Sequence, residues 1–188
     1  LASPAQRAGA AALVFLPILV AISAVQGGMF IAIDVTAGEK ERGTLESLLV
    51  TPSSDTEIFV GKLASVFTVT AIPIVLTLLG FWGASSLLPE SMTEGAGALP
   101  LSVIAQAILV SLPLALFANV ILMVISIRTK TFKDAQSALT PVMFGVMFTA
   151  IAAAFVPPTG ASLAYLIPVY GTSAVVGTLT LGGIIPAN

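Results

Sequence analysis

Residues 101–127 read LSVIAQAILVSLPLALFANVILMVISI and contain no charged residue. A helix of that length is about 40 Å long, more than the ~30 Å hydrocarbon core of a bilayer. Working outward, the uncharged stretch reaches from Glu94 on one side to Arg128 on the other. Similar stretches run from Arg7 to Asp34 and from Lys62 to Glu90, and no charge follows Asp134. Each is longer than the roughly 20 residues that a spanning helix needs. A charge at mid-membrane costs on the order of 3 kcal/mol or more, so such gaps mark segments selected for lipid. They predict an all-α, polytopic transmembrane helix bundle with spans at about 9–33, 60–88, 101–127 and 138–156.

Composition agrees with this reading. Of 188 residues, 57% are hydrophobic and 9% charged, against about 25% charged in soluble domains. Mean hydropathy is +1.08. The net charge of −2 and the lack of a basic tract argue against nucleic acid. The chain has no Cys and no His, which excludes thiolate chemistry and most zinc sites. It starts without Met and ends in an apolar region, as a fragment of a longer protein would.

Local signals mark the joints. Ser54-x-x-Glu57 has the form of a capping box, and Thr131-x-x-Asp134 is a weaker version. Thr36-x-x-Glu39 can cap a helical turn. Pro100 suits the first turn of a helix. Pro17, Pro73, Pro113 and Pro141 fall inside spans or at their starts, where a bilayer bundle tolerates them as kinks. Six of the seven basic residues lie in two loops, with Lys40, Arg42 and Lys62 in one and Arg128, Lys130 and Lys133 in the other. The positive-inside rule places 34–61 and 128–137 in the cytoplasm, the chain crossing the cell membrane several times. The tail is apolar but broken by Pro168, Gly171, Gly177, Gly182, Gly183 and Pro186. Over 162–186 it reads as a fifth span or as a broken helical hairpin that dips into the membrane, the hairpin being preferred.

The loop 34–59 is the most patterned segment. Leu45, Leu48 and Leu49 fall at i, i+3 and i+4, on one face of a short helix, with Glu46 off the stripe. Thr51-Pro52 ends it. Such a helix either lies on the lipid surface or docks into a groove of a soluble partner.

GEKERGTLESLLVTP and the SSDTEIFVGK after it resemble the first cytoplasmic loop of type-2 ABC exporter permeases, above all the NatB-like sodium-efflux branch. The family's motif falls here on Glu39, Glu41, Arg42, Gly43, Thr44, Glu46, Leu48, Leu49 and Pro52, with Gly61-Lys62 heading the next span. RTKTFKDAQSALTP is similar to the family's second cytoplasmic turn at Lys133, Ala135, Gln136 and Pro141. The resemblance covers about 9–170. Against the family's six spans, the first and last fall outside this chain, as does the external domain of NatB-like members.

The resemblance implies a coupling helix that sits on a dimer of separate ABC ATPase subunits, with Leu45 joining the motif residues at that contact. It implies a second permease copy or homologue, and it implies that ATP and Mg are bound by the ATPase. The chain itself has no phosphate-binding G-x-x-x-x-G-K-[ST], because Leu63 follows Gly61-Lys62. It is expected to bind no cofactor or metal and to contribute no catalytic residue. Transport of an ion or small molecule follows, sodium being the cargo of the resembling branch. A non-transporting assembly subunit is the alternative. An intramembrane hydrolase is excluded by the lack of His, Cys and intramembrane carboxylates. The polar residues within spans either join helices or line a path, and Gln26 and Asn119 are the candidates for the path.

Overall fold

The computed structural model describes residues 4–44, 53–87, 99–155 and 166–182, with side chains described only between residues 14 and 180. Five long helices form the bundle: α1 Pro4–Ile33, α2 Asp55–Leu87, α3 Leu101–Ile127, α4 Phe132–Phe155 and α5 Pro168–Gly182. No strand occurs among the described residues. Four of the helices are long and apolar enough to cross a membrane.

The centre of the bundle is α1, which packs on each of the other four helices. Half of its most apolar window is buried against protein, compared with 17% for α4, so α4 presents most of its surface outward. Two apolar clusters fill the space around α1. One joins Leu16, Val20 and Ala24 to Ile74, Leu78, Ile104 and Val176. The other joins Val25, Met29 and Ile33 to Val66, Leu122, Met123 and Leu139. Lipid is as apolar as these side chains, so close packing rather than escape from water holds the helices together. Small residues make the packing close. A Cβ on Gly27 would lie 2.8 Å from Pro73 Cγ. A Cβ on Gly28 would overlap Asn119 Oδ1 and Thr70 Oγ1. The helices run uninterrupted through Pro17, Pro73, Pro113 and Pro141.

Several boundaries differ from the charge-gap reading. The first helix does not stop at Asp34. A π turn, Asp34–Gly38, and an α turn, Glu39–Glu41, carry it two further turns. Thr36 therefore caps nothing: it is buried, and its hydroxyl donates back to the Ala32 carbonyl at 2.5 Å. Charges end the apolar segment without ending the helix, because at the membrane edge they are paired. Opened by side-chain caps at Ser54 and Thr131, α2 starts at Asp55 and α4 at Phe132, so the second joint shrinks from 128–137 to 128–131. Pro100 precedes α3, with extended backbone (φ −58°, ψ 139°), rather than lying in its first turn.

In the tail, one helix of 15 residues is described, α5. The described helix is about 22 Å long. It packs on α1, α3 and α4. The rest of the expected hairpin, 162–165 and 183–186, lies outside the described residues.

Candidate functional site

The charged residues described between Asp34 and Asp134 gather where α1 ends, α2 begins and α3 gives way to α4. The junction is built on the extension of α1. The π turn brings Thr36 against α3, where it shares a hydrogen bond with Ser126 Oγ at 2.6 Å. π turns are uncommon and concentrate at functional sites. Within the extension, Arg42 donates to Asp34 at 2.8 Å. The pair closes over Gly38, where a Cβ would lie 3.1 Å from Arg42 Nη2 and 3.2 Å from Asp34 Oδ1.

Three consecutive side chains then tie the extension to three other helices. Glu39 accepts from Lys62 Nζ in the second turn of α2, and the same lysine donates to the Val35 carbonyl at 2.8 Å. Lys40 donates to the carbonyl of Ile127 and, at 3.5 Å, to that of Thr129. A cation at those carbonyls complements the negative end of α3. Glu41 accepts from the backbone N–H of Phe132 at 2.6 Å, placing a carboxylate at the positive end of α4. Thr131 Oγ1 accepts from Asp134 N at 3.1 Å and supplies the cap expected there. On α2, Ser54 and Glu57 form the reciprocal box, with Ser54 N donating to Glu57 at 2.9 Å and Glu57 N donating to Ser54 Oγ at 3.3 Å.

The way out of the junction is also specified. Gly43 has φ +70°, the single positive φ among the described residues. Its N–H donates to the Lys40 carbonyl at 3.1 Å, one of the two bonds of a Schellman ending. Thr44 Oγ1 donates to the Glu39 carbonyl at 3.3 Å. The motif positions from Glu39 to Thr44 thus carry bonds that end the helix and fasten it to the bundle. Gly61, by contrast, is exposed with open space around it, and nothing in the structure explains it. Leu45, Glu46, Leu48, Leu49 and Pro52 lie outside the described residues. In sequence Lys40 reads as no more than an orientation signal, and the pairing of Thr36 with Ser126 goes unseen. No signal in one sequence tells a lysine that reaches another helix's last carbonyls from a solvated one.

Gln26 and Asn119 are not brought together. Asn119 is fully buried between α1, α2 and α3, with Oδ1 3.2 Å from Thr70 Oγ1 and Nδ2 without a partner among the described residues. Gly28 faces it, and Gln26 lies about 200° around α1 from Gly28. Gln26 instead opens into a groove of about 340 Å³ between α1 and α4.

A bundle with four helices long and apolar enough to cross a membrane, whose described charged side chains all lie at one end of those helices, defines a multi-pass membrane protein. The chain belongs to the ABC-2 family of transporter proteins, whose pattern it matches over residues 3–183. Over 176 residues it is 33% identical to the ABC transporter permease protein NatB of Bacillus subtilis (strain 168). That alignment covers 92% of this chain and 46% of the relative, so the chain spans about half the relative's length. No solved structure matches.

Proposed function

We propose that this chain is the membrane part of an ATP-driven exporter, and that the junction from Asp34 to Thr44 relays the movement of a separate ATPase to the helices. One observation carries the reading. Glu39, Lys40 and Glu41 bond in sequence to α2, α3 and the start of α4. A push on the chain leaving Gly43 is therefore delivered to all three helices at once. A plain surface loop needs no such anchorage.

In this reading the junction faces the cytoplasm of a cell-membrane protein, and the segment 45–52 contacts the ATPase. Two permease copies and two ATPase subunits form the transporter, and ATP and Mg stay on the ATPase. The cargo is an ion or small molecule moved outward. For sodium, carbonyl and hydroxyl oxygens would have to serve as ligands, because no carboxylate lies within the uncharged spans.

The test is co-expression of the full permease with its ATPase, followed by pull-down and liposome flux. The reading expects a stable pair and ATP-dependent flux, with Gly43→Pro or Glu46→Lys reducing ATPase recovery several-fold while permease level in the membrane is unchanged. Unaltered recovery in both variants would sink the docking assignment. Absence of flux with an ATPase bound would favour an assembly subunit.

A further inference from the structure

The groove between α1 and α4 has a chemistry that the junction does not use. Its apolar wall includes Met29 and Phe30 on α1 and Met143, Phe144 and Met147 on α4. Flexible thioethers line surfaces that adapt to varied apolar shapes. The volume of about 340 Å³ is within the range of small-ligand clefts. Phe30 and Phe144 stand about half exposed at its rim, so it opens sideways, toward the membrane, from the least covered helix.

Two observations specify an occupant. First, two amides enter this apolar groove, Gln26 and Gln136, and neither side chain makes a hydrogen bond among the described residues. Thr140, beside them, spends its hydroxyl proton on the Gln136 carbonyl at 2.8 Å. Unpaired amides facing hydrocarbon are costly, and an occupant bearing acceptors relieves them. Second, exposed cations lie just beyond one end of the groove, where Asp134 and the Glu41 carboxylate also sit. Lys133, Gln136, Thr140, Phe144 and Met147 recur at helical spacing along one side of α4, with Lys133 about 4.5 Å along the axis beyond Gln136. Lys133 is exposed, as are Arg128 and Lys130 in the preceding turn. None of the three makes an ion pair or side-chain hydrogen bond among the described residues, whereas Arg42 and Lys62 have carboxylate partners.

The order from end to end is cation, amide and hydroxyl, then thioether and aromatic. It matches phosphate, ester and acyl chain. We propose that this groove is a binding site for an anionic phospholipid of the leaflet on the basic side, with its phosphate at Lys133, its ester oxygens at Gln136 and an acyl chain beside Met143 and Met147. Basic residues at the mouth of a cleft between membrane helices suit such headgroups. The proposal needs only that α1 and α4 cross a membrane, and stands apart from any ATPase coupling.

The test uses the full permease in nanodiscs doped with a phospholipid carrying a photoreactive acyl chain, as phosphatidylglycerol or as phosphatidylcholine, with adducts mapped by mass spectrometry. Adducts on residues 26–30 and 140–147 are expected in at least threefold excess for phosphatidylglycerol. The excess should vanish in Lys133→Gln, persist in Lys133→Arg and shrink at high salt. Equal yields from the two lipids would overturn the proposal, as would an excess indifferent to Lys133→Gln. Adducts absent from the groove, with copy-to-copy crosslinks in their place, would show that protein covers it and would overturn the proposal too.

Discussion

Lys62 bridges two helices by donating to the Glu39 carboxylate and, at 2.8 Å, to the Val35 carbonyl. The two side chains of the pair are 16% and 24% exposed, so water screens them only in part. Removing one partner leaves the other charge poorly solvated.

Glu39→Gln should therefore lower the stability of the purified permease by about 1–2 kcal/mol, between the values for surface and buried pairs. On the proposed relay, ATP-dependent flux with a co-expressed ATPase should fall more than expression. The swapped pair Glu39→Lys with Lys62→Glu should recover part of the loss, because the ion pair returns but the bond to Val35 does not. Thermal unfolding of the two single variants and the double variant checks this. A double variant no better than the worse single would show that the two residues are not energetically linked.

Gly28 gives a second prediction. A Cβ there would overlap both Asn119 Oδ1 and Thr70 Oγ1, neither at the end of a long flexible side chain. Gly28→Ala should cost about 1–3 kcal/mol by overpacking. Gly145→Ala is the control, since a Cβ there meets nothing within 4 Å and alanine is the better helix former. In an Asn119→Ala background the cost of Gly28→Ala should drop, since one of the two overlaps is removed. Additive costs in that cycle would contradict the close approach.

These two sites show what one sequence discloses. The uncharged gaps announced α3 to within a residue, because lipid imposes a requirement on every position of a span. The caps at Ser54 and Thr131 were legible because a cap is local, with both partners within three residues. The extension of α1 was hidden because its charges resemble those of a loop until their partners are known. Glu39 and Lys62 are 23 residues apart, and Thr36 and Ser126 are 90 apart. Gln26 and Asn119 were grouped as polar residues in apolar spans, yet composition does not reveal which way a helix is turned. The overlap at Gly28 puts Asn119 inside the bundle, and the groove takes Gln26.

Gly43 separates backbone strain from crowding. Its φ of +70° disfavours any residue with a Cβ, while no atom of the described residues lies within 4 Å of where that Cβ would be. Gly43→Ala should cost about 1–2 kcal/mol locally, and Gly43→Asn less, because asparagine tolerates the left-handed region. The strain falls on the exit from the junction, so on the proposed relay the stimulation of a co-expressed ATPase should fall in the order Gly, Asn, Ala while the unfolding temperature of the bundle hardly moves. Equal activity in all three would show that the turn does not direct the following segment.

Glu41 supplies the sharpest test of the junction as a relay, because its bond is to backbone rather than to another side chain. Phe132 N donates to it at 2.6 Å, and Thr131 satisfies Asp134 N. Glu41→Ala would leave Phe132 N without its protein acceptor and remove a negative charge from the positive end of α4. Amide exchange at residues 132–135 should then rise several-fold, with residues 144–150 unchanged. Glu41→Gln keeps an acceptor oxygen but loses the charge, and should give an intermediate rise. The distinction matters for mechanism. If exchange at the start of α4 responds to a change 91 positions earlier in the chain, the two segments move as one body, as a relay requires. If it does not respond, α4 is held by its own cap, and force entering at Gly43 reaches only α2 and α3.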